Sequence, residues 1–260
     1  MPQDCGTQYA DDRNLAARQR LWAASRREPG FDLFGWVLGL ACVERDGTQR
    51  VLDVGCGNGA YERALAAGGH RGPTVAVDLS AGMLAHVPGV ARAQADVQQL
   101  PFRSDTFDVV LAPHMLYHVA DIETGAGECR RVLGPAGVFV AVTNGQANLA
   151  ELRTLIESAV SGGWRMERPS EFRFSTENGA DPLRSAFESV TRVDAPGSEI
   201  LVTDPDALAA YVASVADIYE PQIEGAWADV VGIVRDHAAA RIATEGALRL
   251  TSSVGAFVCR

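Results

Sequence analysis

Between residues 50 and 160 short apolar runs alternate with segments of helical spacing. The first run, 51–54, is broken by three alternating glycines, Gly55, Gly57 and Gly59. Tyr61, Ala64, Leu65 and Ala67 then recur as on one helix face. Further runs at 74–77, 91–94, 107–112 and 138–143 read as strands, and 80–87, 121–133 and 147–160 as the helices between them. Strand–helix alternation of this kind predicts a parallel sheet with right-handed crossovers. Upstream, Leu15, Ala16, Leu21 and Trp22 give 11–27 a partial apolar face between arginines, ended by Pro29-Gly30. Residues 31–44 read as a more buried helix carrying Phe34, Trp36, Val37, Leu40 and Cys42. These N-terminal helices either pack as core or lie over a ligand site, and the second arrangement brings Tyr9 to a substrate.

After residue 160 the pattern loosens. Strands are expected at 188–194 and 199–203, helices at 205–219 and 223–244, and a strand pair at 248–251 and 254–259 about Ser252-Ser253. We expect 188–194 and 254–259 to be the last two strands of the main sheet, with a small lid between them. Trp164, Phe172, Phe174, Tyr211, Tyr219 and Trp227 either line that lid or form core. The chain thus divides into N-terminal helices (1–47), a binding core (48–160) and remaining strands plus lid (161–260).

The 260 residues carry a net charge of −10 and 47% hydrophobic residues, which suits a globular chain with a sizeable core. The acidic balance argues against nucleic acid as the main partner, since phosphate binding wants a basic face. Lysine is absent, every cation besides histidine being Arg. The five cysteines are scattered, with no C-x-x-C, which argues against a disulfide framework or a zinc site. Cys56 reads as a small packed residue. No signal-like N-terminus or membrane-length apolar run is present, so a cytoplasmic protein without a membrane partner is expected. The oligomeric state is not legible.

The candidate chemistry gathers at the strand ends. A short strand, a glycine turn and a helix start form a nucleotide-binding unit, because glycine permits φ > 0 and lets backbone approach a ligand. Asp78 follows Gly59 by 19 residues, at the tip of the next strand. An acid there offers only acceptors, suited to two ribose hydroxyls. Ser80 is an N-cap candidate, and Met83 either touches the base or packs. Asp96, Val97, Pro113, His114, Tyr117 and His118 follow later strands, so all fall on the carboxyl edge where open parallel sheets bind ligands. His114 is the candidate general base, or else pocket wall. Tyr117 and His118 face a substrate or pack; the spacing of His114 and His118 is not read as a metal site. His70, His86 and His237 are expected at the surface.

D-V-G-C-G-N-G, A-V-D-L-S, A-D-V-Q-Q-L-P-F, F-D-V-V-L-A-P-H-M-L-Y-H-V and R-R-V-L-G-P-A-G, in that order, resemble the class I S-adenosylmethionine-dependent methyltransferases. The likeness is to the branch typified by ubiquinone/menaquinone-biosynthesis methyltransferases and covers roughly residues 48–146. It implies a Rossmann-like, doubly wound α/β fold whose seven-stranded, mostly parallel sheet has an antiparallel last strand. It also implies that Asp53 and the Gly55/Gly57/Gly59 turn hold the cofactor's methionine moiety. Asp78 would take the ribose, Leu79 would lie beside the adenine, and Asp96 and Val97 would bond it. Pro113 and His114 would flank the transferable methyl. The expected activity is methyl transfer to a small-molecule O, N or C nucleophile. A nicotinamide-dependent oxidoreductase is the alternative for the core, since Gly55, Gly57 and Ala60 also fit G-x-G-x-x-A. Asp53 ahead of the glycines, L-P-F after the third-strand acid and P-H-M-L-Y-H weigh against it. A cofactor-fold binding protein without catalysis is the other alternative.

Overall fold

The computed structural model describes residues 8–27, 31–167 and 173–260. Its first elements are helix α1 (Arg13–Ala24), strand β1 (Ser25–Arg27) and helix α2 (Leu33–Leu40). β2 (Val51–Val54), α3 (Ala60–Ala67), β3 (Thr74–Asp78), α4 (Ala81–Leu84), β4 (Ala91–Gln94) and β5 (Phe107–Pro113) then alternate. α5 (Ile122–Val132), β6 (Leu133–Asn144), α6 (Ala150–Ala159), α7 (Ala180–Arg184) and β7 (Val190–Asp194) come next. The last elements are β8 (Glu199–Val202), α8 (Pro205–Ala213), α9 (Ala216–Tyr219), α10 (Trp227–Glu245), β9 (Leu248–Thr251) and β10 (Val254–Cys259).

Seven strands form the main sheet in the order β4-β3-β2-β5-β6-β10-β7. β2 through β6 pair in parallel, and β10 runs antiparallel to both of its neighbours. This is the expected Rossmann-like α/β sheet. Val51, Val109, Leu111 and Val140 face α2 and α3 on one side, while Leu52, Val110, Phe139 and Phe257 face α5 and α7 on the other. The strand order turns back between β2 and β5, the position at which open parallel sheets carry a ligand crevice outside the carboxyl ends.

A second, three-stranded antiparallel sheet, β1-β8-β9, forms a smaller unit with α1, α6, α8 and α10. Its core joins Leu21, Leu152, Ile156, Ile200, Val212, Tyr219 and Trp227. The expected pairing of 248–251 with 254–259 does not occur. β9 pairs with β8, and the chain then steps across Ser252-Ser253 into the main sheet. Burial explains the split. All six residues of β10 are buried, as a strand covered on both faces requires, whereas β9 alternates and suits a sheet with one wet face.

The helices expected at 11–27, 31–44, 80–87 and 147–160 are all shorter than their patterns predict, and that at 205–219 is broken into α8 and α9. α1 gives way to β1, whose ladder to β8 takes the backbone bonds a longer helix would have used. α2 stops because Cys42 adopts φ 56° and Val43 N–H reaches back to Leu38 O, a helix-ending turn. Pro29-Gly30 lies outside the described residues, as does Cys5.

The expected aromatic lid is mostly core. Tyr219 stacks on Trp227 at 5.8 Å, Trp164 meets both edge-on, and the Trp227 indole N–H donates to Val212 O. Phe174 is buried against Phe257 under the main sheet. Tyr211 packs half-buried on the smaller core. Phe172 lies outside the described residues. The two N-terminal helices also differ: α2 packs on the main sheet through Val37 and Phe34, and α1 lies over the glycine turn. His70 is half-buried rather than exposed, with Nε2 on Gln49 O at 3.1 Å.

Candidate functional site

β2 ends directly in the turn. Gly55, Gly57 and Gly59 have φ of 66°, 56° and 84°, values that an L side chain rarely adopts. The turn is also crowded. A Cβ on Gly55 would fall 2.6 Å from Met115 Cβ, and one on Gly57 would fall 2.8 Å from Leu15 Cδ2. The glycines therefore let the crevice walls, the β5 tip on one side and α1 on the other, close on bare backbone.

Asp78 at the end of β3 braces this turn. One carboxylate oxygen accepts from Gly57 N–H at 2.9 Å and the other from Ser80 N–H at 2.8 Å. Burial raises its pKa, against the pull of those N–H groups. Ser80 caps α4, its hydroxyl accepting from Met83 N–H and donating to Tyr9 O. Met83 is 1% exposed, which matches the packed alternative. Leu79 is 61% exposed, an apolar side chain held out at the sheet edge. Asp96 accepts from Gln98 N–H at 2.9 Å and from the Gln98 amide, and Val97 is buried beneath it.

Asp53 and Glu62 lie behind the turn, 0% and 2% exposed, and neither carboxyl has a hydrogen-bond donor. Each supplies the other's missing partner only if the pair holds a proton. Burial first, then the Glu62 charge, pushes Asp53 well above the usual carboxylate range. Burial likewise raises Glu62. Cys56 is also pushed up by burial, which leaves a packed thiol rather than a nucleophile.

Past β5, half-buried Pro113 leads to His114, which holds φ 55° while its N–H donates to Val142 O at 2.8 Å. A left-handed histidine at a strand tip stores local strain, and such strain concentrates at functional sites. His118 meets Tyr9: Nε2 and the phenol oxygen are 3.2 Å apart, and the rings are 5.4 Å apart edge-on. Arg18 donates to the same phenol oxygen at 3.0 Å, to Gln8 Oε1, to Ser214 Oγ and to Ser214 O. Arg18 only donates, so the Tyr9 phenol oxygen accepts from it, while the direction of the Tyr9–His118 bond follows the imidazole tautomer. Burial, then the Arg18 charge, lowers His118 to about 4, so the imidazole is neutral. Tyr117 packs edge-on against His118 at 4.5 Å.

Of the residues expected at the cleft, the structure joins Asp78 to Gly57 and Tyr9 to His118, with Tyr117 against His118, and sequence reasoning missed Leu15, Arg18, Glu62, Met115 and Ser214. Glu62 sits in a helix's first turn, where acids are commonplace. Arg18 and Ser214 are 196 residues apart, and nothing local marks that contact. Among the described residues, no group of three His, Cys, Asp or Glu could hold a metal ion, and no helix is long and apolar enough to cross a membrane.

Residues 52–141, the strand–turn–strand stretch that lines this crevice, match the family model of a methyltransferase domain. Over this stretch the chain is similar to the type 11 branch of the class I S-adenosylmethionine-dependent methyltransferases. It is 32% identical over 170 residues to a malonyl-[acyl-carrier protein] O-methyltransferase of Geobacter sulfurreducens, covering 61% of this chain and 62% of that one. It is 29% identical over 215 residues to the mitochondrial arginine-hydroxylase NDUFAF5 of Homo sapiens, covering 74% of this chain and 61% of that one. The chain therefore spans about three fifths of the length of these two relatives. A solved phosphoethanolamine N-methyltransferase 2 of Haemonchus contortus, in complex with S-adenosyl-L-methionine, shares the fold. Its TM-score is 0.55 and its identity 17%, with 97% of this chain and 57% of that one covered.

The cofactor of this class is S-adenosylmethionine, and the residues present fit it. Behind the glycine turn, Asp53 and Glu62 are buried acids with no protein donor, the complement of a cationic ligand group.

Proposed function

We propose that the protein transfers a methyl group from S-adenosylmethionine to a small-molecule nucleophile. The observation that carries this reading is the convergence of the Asp78-braced glycine turn with the strained His114 tip across one crevice. When bound, the cofactor supplies an electrophilic methyl on a sulfonium. Asp53 and the turn would receive its amino-acid end, Asp78 its ribose, and Leu79, Asp96 and Val97 would flank its base. Pro113 and His114 border the reacting centre, where His114 takes the acceptor's proton. Tyr9, Tyr117 and His118 shape the acceptor side, and Arg18 fixes the Tyr9 phenol. Holding the nucleophile in line supplies much of the rate in a displacement of this kind. The site serves a small molecule rather than nucleic acid, in line with the net charge of −10, and we place the protein in the cytoplasm.

Calorimetric titration with S-adenosylhomocysteine and, in parallel, NADH tests the cofactor. Micromolar binding of the first alone is expected, and binding of NADH alone would move the site to hydride chemistry. A second reading is favoured by the relative named as an arginine-hydroxylase: the same core can serve another reaction or binding alone. Methyl incorporation from labelled cofactor into a broad acceptor panel separates the two.

A further inference from the structure

The Asp53–Glu62 pair is costly as it stands. Two acids from β2 and the first turn of α3 are buried side by side, and their four carboxyl oxygens have no donor. Asp78, on the neighbouring strand, adds a third acid near the turn. The surroundings do not neutralise them. Arg63 is the cation within Coulombic reach of Glu62, yet its guanidinium is spent on Asn58 O and Oδ1. Cys56 in the turn and Tyr61 on α3 are held as neutral thiol and phenol, and Asp32 ahead of α2 adds negative charge toward Tyr61. A buried acid without a partner keeps its proton until a cation arrives.

We propose that Asp53 and Glu62 form a proton-exchanging cation site beneath the glycine turn, and that seating a ligand's primary ammonium there expels about one proton. The inference rests on the cofactor reading above and adds to it a residue, Glu62, and a linkage. With one proton between them the two carboxyls satisfy each other. An ammonium brings three donors and a full charge, so both carboxyls become acceptors and the shared proton leaves to solvent. The sign follows. The ligand lowers the pKa of the pair, so affinity rises with pH below the free pair's titration and levels off above it. Glu62 acts here as a positioning residue, setting how tightly Asp53 holds its proton.

The full chain is titrated with S-adenosylhomocysteine in MES and in imidazole, buffers of unlike ionisation enthalpy, at about pH 6.5, above the ordinary carboxylate range. The difference in apparent enthalpy counts protons. Release of about one proton per ligand is expected, with affinity rising up to about tenfold per pH unit. 5′-Methylthioadenosine, which lacks the amine, should bind with no release. Glu62→Gln should bind S-adenosylhomocysteine with release reduced at least about twofold, because Asp53 without an acidic neighbour holds its proton less tightly. If Glu62→Gln does not fold, the pH slope of the unaltered chain with the two ligands decides. Equal release with both ligands moves the proton to Asp78 and overturns the proposal. Binding of S-adenosylhomocysteine without release overturns the proposal alone, and failure to bind overturns the cofactor reading with it.

Discussion

The two walls of the crevice are assembled differently. The wall proposed for the cofactor follows the chain: Asp53, the glycine turn, Asp78, Leu79, Asp96 and Val97 lie at or just past the ends of strands of a parallel set. The facing wall is collected from afar. Gln8, Tyr9 and Arg18 come from the N-terminal segment, His118 from beyond β5 and Ser214 from the break between α8 and α9. A site made of strand ends inherits its geometry from the sheet. A site made of side chains on separate elements exists only if every element docks, and such a wall is free to differ where the acceptor does.

The largest expected effect falls on the first wall. Gly55→Val forces a branched residue into φ 66° and onto Met115. A loss of roughly 3 kcal/mol or more in unfolding free energy is expected from left-handed strain plus overpacking. A denaturation midpoint equal to the parent's would mean the turn yields. The second wall answers to pH. His118 is lowered from 6.5 to about 4, so the unfolded chain takes up its proton first on acidification. Its contribution to stability is intact above about pH 6.5 and is lost as pH falls toward 4, up to about 3 kcal/mol. NMR titration of the imidazole should show no protonation near pH 6, and a midpoint there would remove the Tyr9–His118 arrangement.

Between the walls, His114→Ala should slow turnover by about 10²-fold, some 2.7 kcal/mol, with S-adenosylhomocysteine affinity unchanged. A parental rate would leave His114 as pocket lining. Asp78→Ala should cost roughly 1–3 kcal/mol of cofactor affinity, by loss of charge-assisted hydrogen bonds, and calorimetry reads this directly. Smallest of all, Tyr9→Phe should cost about 1 kcal/mol in a thermal melt. It should slow turnover while leaving cofactor affinity alone. A drop in cofactor affinity instead would show that the two walls are one unit.

The smaller unit shows the same division at the level of the fold. Trp164, Tyr219 and Trp227 look alike as lid or core in a linear reading, because an aromatic at helical spacing satisfies both. Their mutual stacking, with Leu21 and Ile200, settled them as core. The strand at 248–251 was equally ambiguous, adjacent in sequence to 254–259 yet paired with 199–202.

The sequence by itself determined the parallel sheet from β2 to β6, the glycine turn at its centre and the acids at its strand tips. Those features repeat a local pattern of apolar run, turn and helix, in which each side chain's place follows from its own neighbours. Only the tertiary structure decided the sheet to which β9 belongs, the burial of Glu62 against Asp53, and the joining of Arg18 to Tyr9, His118 and Ser214. Those contacts join residues that no periodicity relates, and their energy is gained only after both cores have formed.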